Sequence, residues 1–241
     1  MITIKEIENK TMSPEKRETA KKDIFAFYVG RPITYILTIP FLYTNISPNT
    51  VTYLSFIPTF LGFVLLAIGK TWKCLLAGWF AFFIWSMLDG VDGNIARYKK
   101  QYSKIGDTLD AAVGYFAMAL IFFGAGIAAA HNPGYFTIQY NIPLELYIVL
   151  GGLSGMFTLL PRLIMHKAVN STGDKDIGGV TKRSTYGVVN TIALNLTSIP
   201  GLVQLLVLGS IPFSSFDLYT LVNFGINFLI QLVSLIKVFK Q

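Results

Sequence analysis

Four carboxylates, Asp89, Asp92, Asp107 and Asp110, crowd one short stretch around Arg97. Helical residues three or four apart share a face. Asp89 and Asp92 therefore point the same way, as do Gly93, Ala96 and Arg97. The connection Tyr98–Ile105 is short and basic, so the next helix returns antiparallel. Asp110 can then face Asp89 and Asp92 across the helix pair. Carboxylates converging from two helices suit one or two divalent cations such as Mg²⁺ or Mn²⁺, which favour hard oxygen ligands. Small residues at 93 and 96 let a flat or bulky ligand approach the backbone. Arg97 can then grip its phosphates in a two-pronged manner.

The elements that must position these groups are greasy. The chain has 241 residues, 53% hydrophobic and 14% charged, with a mean hydropathy of +0.54. A soluble domain carries roughly a quarter charged residues, so the class is an all-α integral membrane protein. One Asp at mid-bilayer costs about 3 kcal/mol, so a cluster of four needs compensating cations. The single cysteine, Cys74, excludes an intramolecular disulfide, and His131 and His166 are too far apart in sequence to suggest a metal pair. In so apolar a chain the net charge of +7 points to membrane orientation and anionic ligands, with no nucleic-acid partner. The first twenty residues are polar and charged, which does not fit a cleavable signal.

Residues 1–32 read as a segment bearing an amphipathic surface helix, and 33–241 as a transmembrane catalytic domain. Ser13-Pro14-Glu15 is a helix start, with Ile24, Phe25, Phe27 and Tyr28 beside Lys21, Lys22 and Arg31. Residues 1–12 fit a solvated basic tail. Residues 33–43 are apolar but too short to span. Six spans follow, at about 51–69, 74–88, 108–130, 143–164, 187–208 and 216–236. The second continues as helix into the aspartate stretch, and 131–141 reads as a loop. Lysines and arginines gather before the first span and at the second-to-third and fourth-to-fifth connections, leaving only Lys70 and Lys73 opposite. That bias places both termini and the aspartates on the cytoplasmic side of a multi-pass protein in the cell membrane. Gly151 with Gly155, and Gly124 with Ala128, are small pairs suited to close helix packing.

The spacing Asp89, Asp92, Gly93, Ala96, Arg97, Gly106, Asp110 resembles the CDP-alcohol phosphotransferase signature D-x-x-D-G-x-x-A-R-x8-G-x3-D-x3-D. Pro48-Asn49-Thr50-Val51-Thr52 also resembles the family's element that opens its first span. The resemblance implies a homodimeric membrane transferase of lipid or glycan synthesis. Such an enzyme replaces CMP on a CDP-linked donor with an alcohol acceptor, using Mg²⁺ or Mn²⁺. It assigns Asp89, Asp92 and Asp110 to the metal, and Asn49, Thr52, Gly93, Ala96 and Arg97 to the donor. The signature's last aspartate, a metal ligand and candidate base in that family, falls at Gly114. Asp107 is the closest spare carboxylate and, with Asp110, a candidate for metal and catalytic roles. It lies two turns from 114, about 10 Å away along the helix.

Arg162, inside an apolar stretch, suggests an anion site. In family members with phosphorylated acceptors a basic pocket here holds that phosphate, which implies the same for Arg162 with Lys182 or Arg183. Two other readings stay open. Gly114 motivates a catalytically silent CDP-lipid-binding relative. The carboxylate cluster also suits a small ion-coupled transporter. Against transport, the acids sit at one edge, and only Glu145 and Asp217 lie near the far ends of other spans.

Overall fold

The structure, a computed structural model, describes residues 2–172 and 186–239. All its regular elements are helical. Among the described residues five helices are long and apolar enough to cross a membrane, or six where a bent pair is counted as one span. The all-α membrane class expected from composition is thus what the chain adopts.

The first span is α4 (Pro48–Ile68). Ser47 caps it by accepting from the Thr50 N–H at 3.2 Å, and Pro48 supplies a preset first turn. Thr71 caps α5 (Trp72–Lys99) in the same way through the Cys74 N–H. At 28 residues, α5 is about 42 Å long. That exceeds the roughly 30 Å hydrocarbon layer, so its last turns reach the polar boundary. Lys100, in the left-handed region at φ 55°, ends the helix. The chain returns as α6 (Gly106–His131).

Glycines bring these helices close. Gly78 on α5 meets Leu66 of α4, and Gly124 on α6 meets Leu66 and Phe63. Between α6 and α8 (Leu144–Thr172), a methyl at Gly126 would run into the Tyr147 carbonyl and Gly151. Gly155 packs on Ala119 of α6. Both small-residue pairs are thus used inside one chain. The core they frame includes Phe82, Trp85, Ile121, Phe122 and Tyr147, while Ile57, Phe60, Leu61 and Ile68 face outward as a lipid-facing surface would.

Three local expectations need correction. The loop at 131–141 contains a short helix, α7 (Tyr135–Tyr140). It is held by Asp217, which is fully buried and accepts from the Thr137 N–H at 3.0 Å and hydroxyl at 3.1 Å. The fifth span is broken: Val188–Thr197 (α9) and Ile199–Ser210 meet at 50°. Pro200 lacks a donor and Gly201 leaves helical geometry, so the ladder stops there. It resumes as a π-turn and α10 (Gln204–Ser210), before α11 (Phe216–Phe239).

The third correction is residues 1–12, which do not form a solvated tail. They fold as α1 (Ile4–Thr11), with Ile7 wholly buried among Val51, Val91 and Ile95. Tyr98 of α5 donates to Glu6 at 2.6 Å, and Lys10 sits over its ring. The helix start at Ser13 is realised in α2 (Pro14–Lys21). A π-turn at Ala26–Gly30 then leads into α3 (Arg31–Leu42), the short apolar helix at 33–43. Ile24 and Tyr28 stay exposed, while Asp23 accepts from Ser198 at the break in the fifth span.

Candidate active site

Four elements meet where α5 reaches the polar boundary. The first turns of α4 pack against α5 and bring Thr52 to Asp92, which is 5% exposed. The Thr52 hydroxyl donates to Asp92 Oδ2 at 2.5 Å. Asn94, one residue past Gly93, donates to Thr38 on α3 at 3.1 Å. Gly90 lies against Thr34 on the same helix, leaving no room for a side chain. These contacts fix the rotation of α5 and hence the direction of its carboxylates.

Asp110, in the first turns of α6, comes within hydrogen-bonding reach of Asp89. Asp92 is in electrostatic range of both. Three carboxylates from two helices therefore converge, and none forms a salt bridge among the described residues. Like charges gathered at a membrane boundary are costly unless a cation or proton intervenes. The donor set, all carboxylate oxygen, fits a hard divalent cation. Among the described residues, however, no group of three or more His, Cys, Asp or Glu side chains is placed so that it could hold a metal ion. Asp92 is turned to Thr52, while Asp89 and Asp110 approach each other.

Asp107 is exposed and in electrostatic range of Asp110. At Gly114, one turn beyond Asp110, an added Cβ would meet nothing within 4 Å.

Asn49 does not touch the carboxylates. Its amide and the Ser103 hydroxyl bond to each other at 3.0 and 3.2 Å, tying the start of α4 to the loop before α6. Gly106 lies against this pair, where a Cβ would stand 3.0 Å from Ser103 Oγ. Asn49 and Gly106 thereby set where Asp110 enters.

The space at Gly93 is also used differently from the ligand approach that sequence suggests. A Cβ there would lie 2.8 Å from the Arg97 guanidinium, which is folded back over the glycine. Arg97 donates to Asn94 Oδ1 at 3.3 Å, and its Nε is buried with no partner. Arg97 is in electrostatic range of Arg31, Asp92, Tyr35 and Tyr102. Lys16 of α2 is half-buried and in electrostatic range of Arg97 and Arg31. Burial, reinforced by these two cations, pushes its ammonium down to about 8. Ala96, on the same turn, is partly exposed.

Arg162 lies elsewhere. It lines a cavity of ≈ 600 Å³ between α6, α8, α9 and α11, with Tyr115, Thr158, His166 and Asn227. Tyr115, the residue after Gly114 on α6, is one of its lining residues. Lys182 and Arg183 lie outside the described residues. Sequence alone does not single out Asn227, whose buried amide nitrogen has no partner among the described residues. Its signal was there: Asn223, Asn227 and Gln231 form a polar stripe at four-residue spacing in an apolar span.

Residues 45–223 match the model of one protein family, CDP-alcohol phosphatidyltransferase. A search of curated proteins finds no match to the chain.

Proposed function

This chain belongs to the CDP-alcohol phosphatidyltransferase family, and on that premise we propose that it is an active, divalent-metal-dependent transferase. It moves a substituted phosphate from a CDP-linked donor to an alcohol and releases CMP. The observation that carries this is the meeting of Asp89 and Asp110 across α5 and α6, with Asp92 beside them.

Asp89, Asp92 and Asp110 are the residues that would hold the cation, with exposed Asp107 as a further carboxylate at its edge. When bound, it supplies positive charge that offsets the diphosphate and the departing CMP. Thr52 keeps Asp92 oriented, and Arg97 over Gly93 and Ala96 binds donor phosphate. The acceptor oxygen attacks the phosphorus bearing the donor alcohol. The bond from that phosphorus to the CMP oxygen breaks, and CMP leaves with the electron pair. The hydroxyl proton passes to a carboxylate, and Asp110 is the nearest on α6 to the open space at Gly114.

Arg162 in its cavity, with Lys182 or Arg183, binds an anionic group of the acceptor. Basic residues crowd the face where the site lies, which favours CDP-diacylglycerol and a polar acceptor in phospholipid synthesis, with that face and both termini cytoplasmic. The catalytic domain spans 33–241, and residues 1–32 are its cytoplasmic interfacial segment.

Gly114 favours a second reading, a silent relative that binds a CDP-lipid without turnover. CMP release from a panel of CDP-donors and acceptors, with Mg²⁺ or Mn²⁺, decides between them. Metal-dependent release supports the transferase. Cytidine nucleotide binding with no release across the panel supports the silent reading.

A further inference from the structure

Three cations from separate elements converge beside the carboxylates. Lys16 comes from α2, Arg31 from the junction of the π-turn and α3, and Arg97 from the end of α5. Lys16 is in electrostatic range of both arginines, and the arginines are in range of each other. None of the three takes part in a salt bridge among the described residues. The carboxylates in range of Arg97 are Asp92, already held by Thr52, and Asp110, which approaches Asp89.

Two buried donors at this place lack acceptors. Among the described residues Arg97 Nε has no partner, and neither does the hydroxyl of Tyr35, a residue 5% exposed and in range of Arg97. A buried donor without a partner costs about 1–3 kcal/mol. Gathering like charges adds to that cost. An anion with several acceptor oxygens relieves both. The π-turn contributes to the placement of Arg31, since such turns shift register by one residue and recur at functional sites. The Arg31 guanidinium lies 6.0 Å from the centre of the Phe27 ring.

We propose that Lys16, Arg31 and Tyr35 complete, with Arg97, a binding site for the diphosphate of the nucleotide donor. This rests on the transferase reading and deepens it: the N-terminal segment is part of the donor site. Lys16 and Arg31 supply charge, while Tyr35 and Arg97 Nε supply directed hydrogen bonds. The site adjoins the metal-holding carboxylates through Asp92.

The test measures binding, not turnover. Full-length protein and the variants Lys16→Gln, Arg31→Gln and Tyr35→Phe are reconstituted in phosphatidylcholine nanodiscs. CDP, cytidine and inorganic diphosphate are titrated by calorimetry without metal, and thermal unfolding checks each fold. We expect CDP and diphosphate affinity to fall about tenfold for each lost cation and severalfold for Tyr35→Phe, with cytidine unaffected. Variants that remain folded and bind CDP as tightly as the parent overturn this site and leave the transferase reading intact. If the parent binds diphosphate through Lys16 and Arg31 but shows no preference for CDP, the anion site stands without its nucleotide. If the parent binds none of the three ligands without metal, this site is overturned, while the transferase reading, whose donor binding uses the metal, is decided by the CMP-release panel. Repeating the titration with phosphatidylglycerol identifies the phosphate's source. Competition that removes CDP binding makes the occupant a lipid headgroup and overturns the nucleotide assignment.

Discussion

Thr52 and Asp92 are joined at 2.5 Å between the first turns of α4 and the last turns of α5. Asp92 is buried, and this hydroxyl is its one side-chain donor among the described residues. Thr52→Val keeps the shape and removes the donor. A hydrogen bond to a charged group is worth about 1.5–3 kcal/mol. The variant should lose stability of that order and weaken Mn²⁺ binding as Asp92 loses its orientation. Thermal unfolding and Mn²⁺ titration read the two effects.

Gly93→Ala separates helix stability from ligand binding. Alanine is favoured over glycine in a helix by about 1 kcal/mol. The atoms it meets are the tip of the flexible Arg97 side chain, at 2.8 and 3.1 Å. The guanidinium should swing away at little cost. Stability should hold or rise slightly while CDP affinity falls about tenfold, measured on the same preparation.

Gly114→Asp places a carboxylate where nothing stands within 4 Å of the new Cβ. The protein should fold, and Mn²⁺ should bind more tightly as a further oxygen ligand arrives. CMP turnover should change with it. Unaltered metal affinity and turnover would put position 114 outside the site.

Lys16 sets a pH dependence. Its ammonium is pushed down to about 8 in the folded protein, against an ordinary 10.5, with Arg97 and Arg31 in electrostatic range. Between those values the unfolded chain binds more protons than the folded one. The unliganded protein should therefore gain stability as pH rises from 7.5 towards 10. Lys16→Met should flatten that rise in the thermal midpoint. Bound diphosphate should also flatten it, by stabilising the charged amine.

Much of the fold was legible because membrane spans advertise themselves. Twenty apolar residues between polar connections mark a helix whatever its partners, and the helix start at Ser13 lies where the sequence places it. The convergence of Asp110 on Asp89 followed from a short connection and helical periodicity. Other features depend on tertiary contacts that no local pattern carries. Residues 1–12 look like a tail until Ile7 finds the pocket between α3, α4 and α5. Gly93 reads as room for a ligand until Arg97 folds over it. Lys16, Arg31 and Tyr35 are scattered among other basic and aromatic residues, and only the docking of α2 and α3 turns them toward Arg97. The break at Pro200-Gly201 was readable in residue type, but the apolar run around it hid the interruption.

Mn²⁺ binding to full-length protein, followed by electron paramagnetic resonance in the parent and in Asp89→Asn, Asp92→Asn and Asp110→Asn, tests the central claim most directly. The account predicts a saturable site in the parent and a loss of at least about tenfold in affinity in each variant, because the three carboxylates act as one ligand set. Variants that bind Mn²⁺ like the parent, or a parent with no saturable site, would contradict it.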